Sequence, residues 1–236
     1  MRLSHYSLLS TRSRYTVAAS MLLSLMLFFF YDQKAYSADP SNAMARVISV
    51  EGQVQLKQAG SSDWKDAAKG VFLPEGTEIN TSETGSAILA VGEGRQSAVT
   101  LQPDSKLALT SLDPVKLNLQ SGNLVAIAKG IKEGSTFQVM TATAVASVRG
   151  TEFYVSADGV IAVLTGTLVV AYPDGSQITL NAGEQLNVGS KEVGEISSEI
   201  RQEIQDNSQA VESISSGTQE VQGDGSRPNT QVSASP

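Results

Sequence analysis

The side chains that most often carry out chemistry are nearly missing from this sequence. Its 236 residues contain no cysteine and one histidine, His5. His5 lies in a leader expected to be removed, so the mature chain holds neither residue type. That composition excludes zinc, copper and haem sites of the usual ligand types. It also excludes Ser-His and Cys-His nucleophile pairs, as well as disulfides and lipid attachment through an N-terminal cysteine. Hydrolysis by a carboxylate pair needs only two acids, so a carboxylate-dependent glycan hydrolase stays open as a second alternative. The acids lie mostly in turn-like stretches (Glu75, Glu93, Asp104, Asp113, Asp174), and nothing in the spacing pairs them. Val91-Gly92-Glu93-Gly94-Arg95-Gln96 is glycine-rich, but no helix follows it, so it is no phosphate cradle. No catalytic, cofactor-binding or metal residue is expected.

Residues suited to recognition remain. In Val148-Arg149-Gly150-Thr151-Glu152-Phe153 a regular strand would place Arg149, Thr151, Phe153 and Val155 on one face. The other face would carry Val148, Gly150, Glu152 and Tyr154. A charge among such neighbours needs a partner, since an unpaired buried one costs several kcal/mol. Arg149 is therefore expected to be partly buried and bonded to a carboxylate or to backbone carbonyls through its rigid donor fork. Gly150 is expected to permit a close strand approach or a bulge. The functional alternative is that Arg149 binds an anionic ligand or partner. Trp64, the sole tryptophan, either stacks on a sugar or partner at a loop tip, or plugs the bottom of the fold with Lys65 and Asp66 outside.

These side chains need a scaffold, and the order of segments supplies one. Residues 2–14 carry Arg2, Arg12 and Arg14 and no acid. An uncharged run from Tyr15 to Tyr31 follows, and small residues appear at Ala35-Tyr36-Ser37-Ala38. Basic, apolar, then small is the layout of a secretory signal, assigned to residues 1–37. An uncleaved anchor is the rival reading, though the run falls a little short of the roughly 20 apolar residues a span needs. The expected location is periplasmic or secreted, with membrane contact only through the N-terminal segment if it is uncleaved. Removing residues 1–37 takes away Arg2, Arg12, Arg14 and Lys34 against Asp32, which moves the net charge from −7 to near −10. Nucleic acid rewards clustered Lys and Arg, so it is excluded as a partner.

From about residue 45 to 190 the chain reads as some fifteen short β-type runs broken by Gly, Pro, Asn, Asp and Ser. In Gln53-Val54-Gln55-Leu56-Lys57 and Val115-Lys116-Leu117-Asn118-Leu119, apolar and polar residues alternate with period two. Tyr172-Pro173-Asp174-Gly175-Ser176 is a turn. So many strands exceed one open sheet, which predicts an all-β sandwich or a β-helix (solenoid-like) domain. Over residues 191–213 Ile196, Ile200, Ile204 and Val211 form a narrow apolar stripe, predicting one amphipathic helix that packs on the β domain or frays. Residues 214–236 are Ser-, Gly-, Gln- and Asn-rich and are expected to be a disordered tail.

A family resemblance rests on the order of landmarks. Gly52-Gln53-Val54, Trp64, Gly70, Leu73, Gly76 and Ile79 come first, then Pro103-Asp104-Ser105 between two strands. Leu119-Gln120-Ser121-Gly122-Asn123-Leu124, Phe137-Gln138-Val139-Met140-Thr141 and the Val148–Phe153 block follow, and Leu180-Asn181-Ala182-Gly183-Glu184-Gln185 ends the series. Over about residues 46–190 the chain resembles the FecR domain family, the periplasmic domain of ferric-citrate-type regulators and of many stand-alone exported proteins. The resemblance implies an all-β extracytoplasmic domain acting through protein contacts, with Val148, Arg149, Gly150, Thr151 and Phe153 as its motif. In the regulators such a domain sits beside a cytoplasmic anti-sigma domain, which is not expected in the short N-terminal segment of this sequence. The expected function is an exported binding or sensing module without catalysis, its partner an envelope or secreted protein or a surface polysaccharide. The alternative is a periplasmic sensor of a transmembrane, sigma-factor-type signalling system. Trp64 and Arg149 are the candidate partner surface, and no cofactor is expected.

Overall fold

The computed structural model describes residues 44–131 and 133–217. The expected signal segment 1–37 and most of the expected tail lie outside them. Eighteen strands precede one helix: β1 (Ala45–Glu51), β2 (Val54–Lys57), β3 (Lys65–Asp66), β4 (Phe72–Leu73), β5 (Glu78–Thr81) and β6 (Ser86–Val91). Then come β7 (Ser97–Leu101), β8 (Lys106–Leu112), β9 (Val115–Ser121), β10 (Asn123–Ala128), β11 (Phe137–Met140) and β12 (Val145–Val148). The series ends with β13 (Thr151–Ser156), β14 (Val160–Thr165), β15 (Thr167–Ala171), β16 (Gln177–Asn181), β17 (Glu184–Asn187) and β18 (Glu192–Glu195). The alternation read from the sequence is what the strands use. In β2, Val54 and Leu56 are buried and Gln55 and Lys57 are not; β9 buries Val115, Leu117 and Leu119. β3, β4 and β18 are not expected from the sequence, because two residues, or four with one large apolar side chain, carry no alternation to read.

The strands form two nine-stranded sheets. Sheet I runs β18-β17-β14-β13-β10-β7-β6-β1-β4, and sheet II runs β16-β15-β12-β11-β9-β8-β5-β2-β3. One continuous apolar core draws on both, from Val47, Leu89 and Phe153 of sheet I to Ile79, Leu117 and Phe137 of sheet II. This resolves the two expected architectures in favour of a sandwich. A coil of parallel rungs needs parallel ladders, and among the described residues only β9 and β11 pair in parallel. From β6 onward the chain lays strands in one sheet, crosses, and lays strands in the other, so it advances along the sandwich as it folds. Phe137 and Phe153 meet across the core edge to face, their centroids 6.1 Å apart and their planes at 83°.

Two buried serines hold the ends of β10 in the middle of sheet I. Ser105 Oγ accepts from Asn123 N (2.9 Å) and donates to Asn123 O (3.1 Å). Ser97 Oγ accepts from Lys129 N (3.0 Å) and donates to Lys129 O (2.8 Å). Each bonds both backbone groups of the residue at one end of the strand, and so fixes where that strand begins or ends.

The helix differs from its expected bounds. Residues 192–195 form β18, a hairpin partner of β17, and helix α1 spans Ser198–Gly217. Ser197 is its N-cap, with Oγ accepting from Ile200 N at 3.3 Å. Ile196 therefore precedes the helix, and residues 214–217 belong to it rather than to the tail. Ile196, Ile204 and half-buried Ile200 pack on Val125, Tyr154 and Ala162, covering part of the outer face of sheet I. No described helix is long and apolar enough to cross a membrane.

Glu203 is a half-buried residue of α1, and burial raises its carboxyl above the ordinary value of 4.5. Tyr154 is 8% exposed; burial, with Glu203 close by, pushes its hydroxyl up to about 12. A raised carboxyl pKa means that the folded state binds the proton more tightly. The associated stabilisation is full below 4.5 and is lost as pH rises through the raised value. Glu203→Gln is thus expected to stabilise the protein at neutral pH, with the gain shrinking as pH falls toward 4.5; denaturant titrations across pH check this. Phe153→Ala, at a fully buried ring, is expected to cost about 3–5 kcal/mol in the same measurement.

Candidate functional site

The Val148–Phe153 block is a crossing between the sheets. β12 ends at Val148 in sheet II, and β13 begins at Thr151 in sheet I. Val148 therefore faces the core from one sheet, while Thr151, Phe153 and Val155 face it from the other. Tyr154 points outward beneath α1. Arg149 and Gly150 form the turn between them and are exposed. The expectation that Arg149 is partly buried and bonded is thus corrected. The argument assumed one regular strand, but a crossing turn carries its side chain into solvent, where a charge needs no partner. Gly150 is also not a point of close approach: a Cβ there would meet nothing within 4 Å, and its φ of +74° is what requires glycine. The close approach is at Gly166 in the β14–β15 turn. There a Cβ would stand 2.5 Å from Gly150 O and 2.6 Å from Thr151 Cγ2.

Trp64 is half-buried, but it does not plug the bottom of the sandwich. It lies on the outer face of sheet II, where Lys57 Nζ is 5.1 Å and Lys106 Nζ 5.9 Å from its ring centroid. The same two ammonium groups hold Glu78, at 3.0 and 3.3 Å. Lys57 and Glu78 are cross-strand partners on β2 and β5, and Lys106 comes from β8. The Lys57 hydrogen bond, with Lys106 beside it, holds the Glu78 carboxyl below the usual carboxylate range. The expectation failed because apolar bulk alone suggests the core, whereas two lysines, on β2 and β8, offer the Trp64 π face a better place. As expected, Lys65 and Asp66 are exposed. The outer face of sheet II around this cluster carries Gln55, Asn80, Lys116, Asn118 and Gln138, each half-buried or exposed.

Sequence reasoning missed a second aromatic–cation group. Phe72, 44% exposed on edge strand β4, has the Arg46 and Arg95 guanidinium carbons 5.6 and 5.5 Å from its ring centroid. Arg46 and Phe72 are register partners, a pairing invisible without the fold. Of the acids weighed for hydrolysis, Glu75 and Asp174 are occupied locally. Glu75 accepts from Leu112 N at 2.7 Å and Ser111 Oγ at 3.2 Å. Asp174 binds Lys191 Nζ at 2.8 Å and Ser176, which lowers its carboxyl pKa. Asp104 sits in a tight turn at φ +53°. Glu184 accepts from Asn181 N at 2.7 Å and closes the β16–β17 turn. A groove of about 300 Å³ opens between α1 and sheet I, lined by Glu51, Thr100, Gln102, Glu203 and Asp206. An apolar cleft of about 210 Å³, lined by Leu56, Val71, Leu73 and Thr77, opens at the β3–β4 end of the sandwich.

The crossing predicts a rank order. Gly150→Ala is expected to cost about 1–2 kcal/mol for its left-handed backbone. Gly166→Ala should cost more, since backbone stands in its way as well. Arg149→Ala should stay within about 0.5 kcal/mol of wild type. Urea denaturation of the three variants checks the order.

Two solved crystal structures of a candidate anti-sigma factor from Parabacteroides distasonis are similar to this chain. One has 24% identity and a TM-score of 0.42, covering 50% of this chain and 58% of that one. The other has 22% identity and a TM-score of 0.43, with the same coverage of each. The chain thus spans a little over half the length of these structures. No curated protein matches it. The family model described as FecR protein matches residues 77–169, a narrower stretch than the landmarks suggest, leaving Trp64 outside and the Val148–Phe153 block inside. Over residues 77–169 this chain carries a FecR domain.

Proposed function

We propose that this protein is an exported, non-catalytic module that senses or binds by protein contact in the bacterial cell envelope. The observation that carries the reading is the FecR match across residues 77–169, which supports a sensor or regulator role in signalling. The disposition of the motif fits such a role. Val148, Thr151 and Phe153 are buried and hold the two sheets together, so recognition falls to outward side chains. Arg149 at its crossing turn and Trp64 with its two lysines are such side chains. The basic, then apolar, then small order of residues 1–37 supports export.

A periplasmic sensor in a transmembrane, sigma-factor-type system is the second reading, favoured by the same family match. The two differ in what the module touches and in whether its N-terminus is retained. Photo-crosslinkers at positions 64 and 149 of the full chain, used in intact cells of its host, test both. Capture of one protein, lost in Trp64→Ala or Arg149→Ala variants that keep wild-type stability, is the expected result. A captured membrane-embedded regulator together with a retained N-terminus would favour the second reading. No protein capture, with release of sugars from an envelope polymer instead, would overturn the binding reading.

A further inference from the structure

Among the described residues no strand pairs with either end of sheet I, and the side chains at the two ends are complementary. Among the described residues three large apolar side chains are exposed: Val71 at 38%, Phe72 at 44% and Val193 at 46%. The first two lie at one edge of sheet I, where residues 70–73 run beside β1 with Val47 N bonded to Val71 O and Gly70 N to Val47 O. The third lies on β18, the opposite edge of the same sheet, where all four residues are exposed. The first edge carries Arg46 and Arg95 around Phe72, and the second carries Glu192 and Glu195 around Val193. An open edge bearing apolar side chains is a template for another strand, and opposite charge decides which strand it takes.

We propose that copies of this chain associate head to tail, β18 of one copy pairing with residues 70–73 of the next and extending sheet I. Every ladder in sheet I is antiparallel. Its first and ninth strands therefore point the same way, and a copy stepped along the sheet meets its neighbour in parallel. The side-chain faces agree. Val193 stands opposite core residue Leu186 on β17 and so faces inward. Val71 lines the inner cleft with Leu56 and Leu73. Setting Val193 beside Val71 places Glu192 beside Gly70, and at Gly70 the nearest group is an Arg46 guanidinium nitrogen, 3.8 Å from where a Cβ would stand. Pairing like edges would set Arg46 against Arg46 or Glu192 against Glu192, so the contact is heterologous and open-ended. Four residues a side make a small interface, so association is weak and depends on concentration.

Sedimentation velocity on the protein recovered after expression of the full chain, from about 1 µM to about 1 mM, reads the assembly. Mass should rise past the dimer with concentration and fall as salt screens the charges. Val71→Lys/Phe72→Ser closes one edge, and Glu192→Lys/Val193→Lys closes the other. Each variant alone should be monomeric, while their equal mixture should form dimers and nothing larger. If a variant fails to fold by circular dichroism, the charge swap serves instead. Arg46→Glu or Glu192→Lys alone should raise the concentration for half-assembly about tenfold, and the double variant should restore it. A wild type that stays monomeric throughout, assembly unchanged in the variants, or dimers formed by one closed-edge variant with itself would each overturn the proposal.

Discussion

Phe137 and Phe153 meet edge to face where the two sheets face each other, and the rest of the fold is arranged so that they can. Phe137 opens β11 in sheet II, and Phe153 sits in the middle of β13 in sheet I. Sixteen residues separate them, and within that span the chain lays the β11–β12 hairpin and then crosses to the other sheet. The crossing is short because Gly150 takes a left-handed backbone, and it is narrow because Gly166 lets the neighbouring turn lie directly on Gly150. A single shared core thus obliges the chain to cross between layers repeatedly, and the family block marks one such crossing.

The outer faces of the two sheets have diverged under the same constraint. Sheet I is partly covered by α1, whose isoleucines use outward apolar positions on β10, β13 and β14. Glu203, on that helix, lies close to Tyr154, and burial raises the pKa of both groups. Sheet II carries polar and charged side chains, and its aromatic, Trp64, is held by lysines rather than by a core. One face is partly covered by the chain's own helix, and among the described residues no element packs on the other. That asymmetry makes sheet II, the crossing turns and the strand edges the surfaces through which a protein of this composition meets its surroundings.

The Val148–Phe153 block lies within the stretch matched by the FecR model, and burial divides its residues between two tasks. Val148, Thr151 and Phe153 work in the core, while Arg149 works outside it. The division follows from the break between β12 and β13, and no regular strand would have produced it.

Much of the core was legible from the sequence, because period-two alternation depends only on which residues water rejects. β2 and β9 were readable for that reason, and a spacing of four marked the isoleucines that dock at and before α1. The absence of cysteine and of histidine beyond residue 5 bounded the chemistry without any fold. The positions of Arg149, Trp64 and Phe72 were not legible, because each depends on a neighbour brought from elsewhere in the chain. Arg149 depends on where one sheet yields to the other, Trp64 on lysines of β2 and β8, and Phe72 on an arginine across the β1–β4 ladder. Nothing in the sequence singles out Ser97 or Ser105 for the role they have in securing the two ends of β10. Alternation says which face of a strand is buried; pairing across the sheet decides what the exposed face meets, and that is a property of tertiary structure alone.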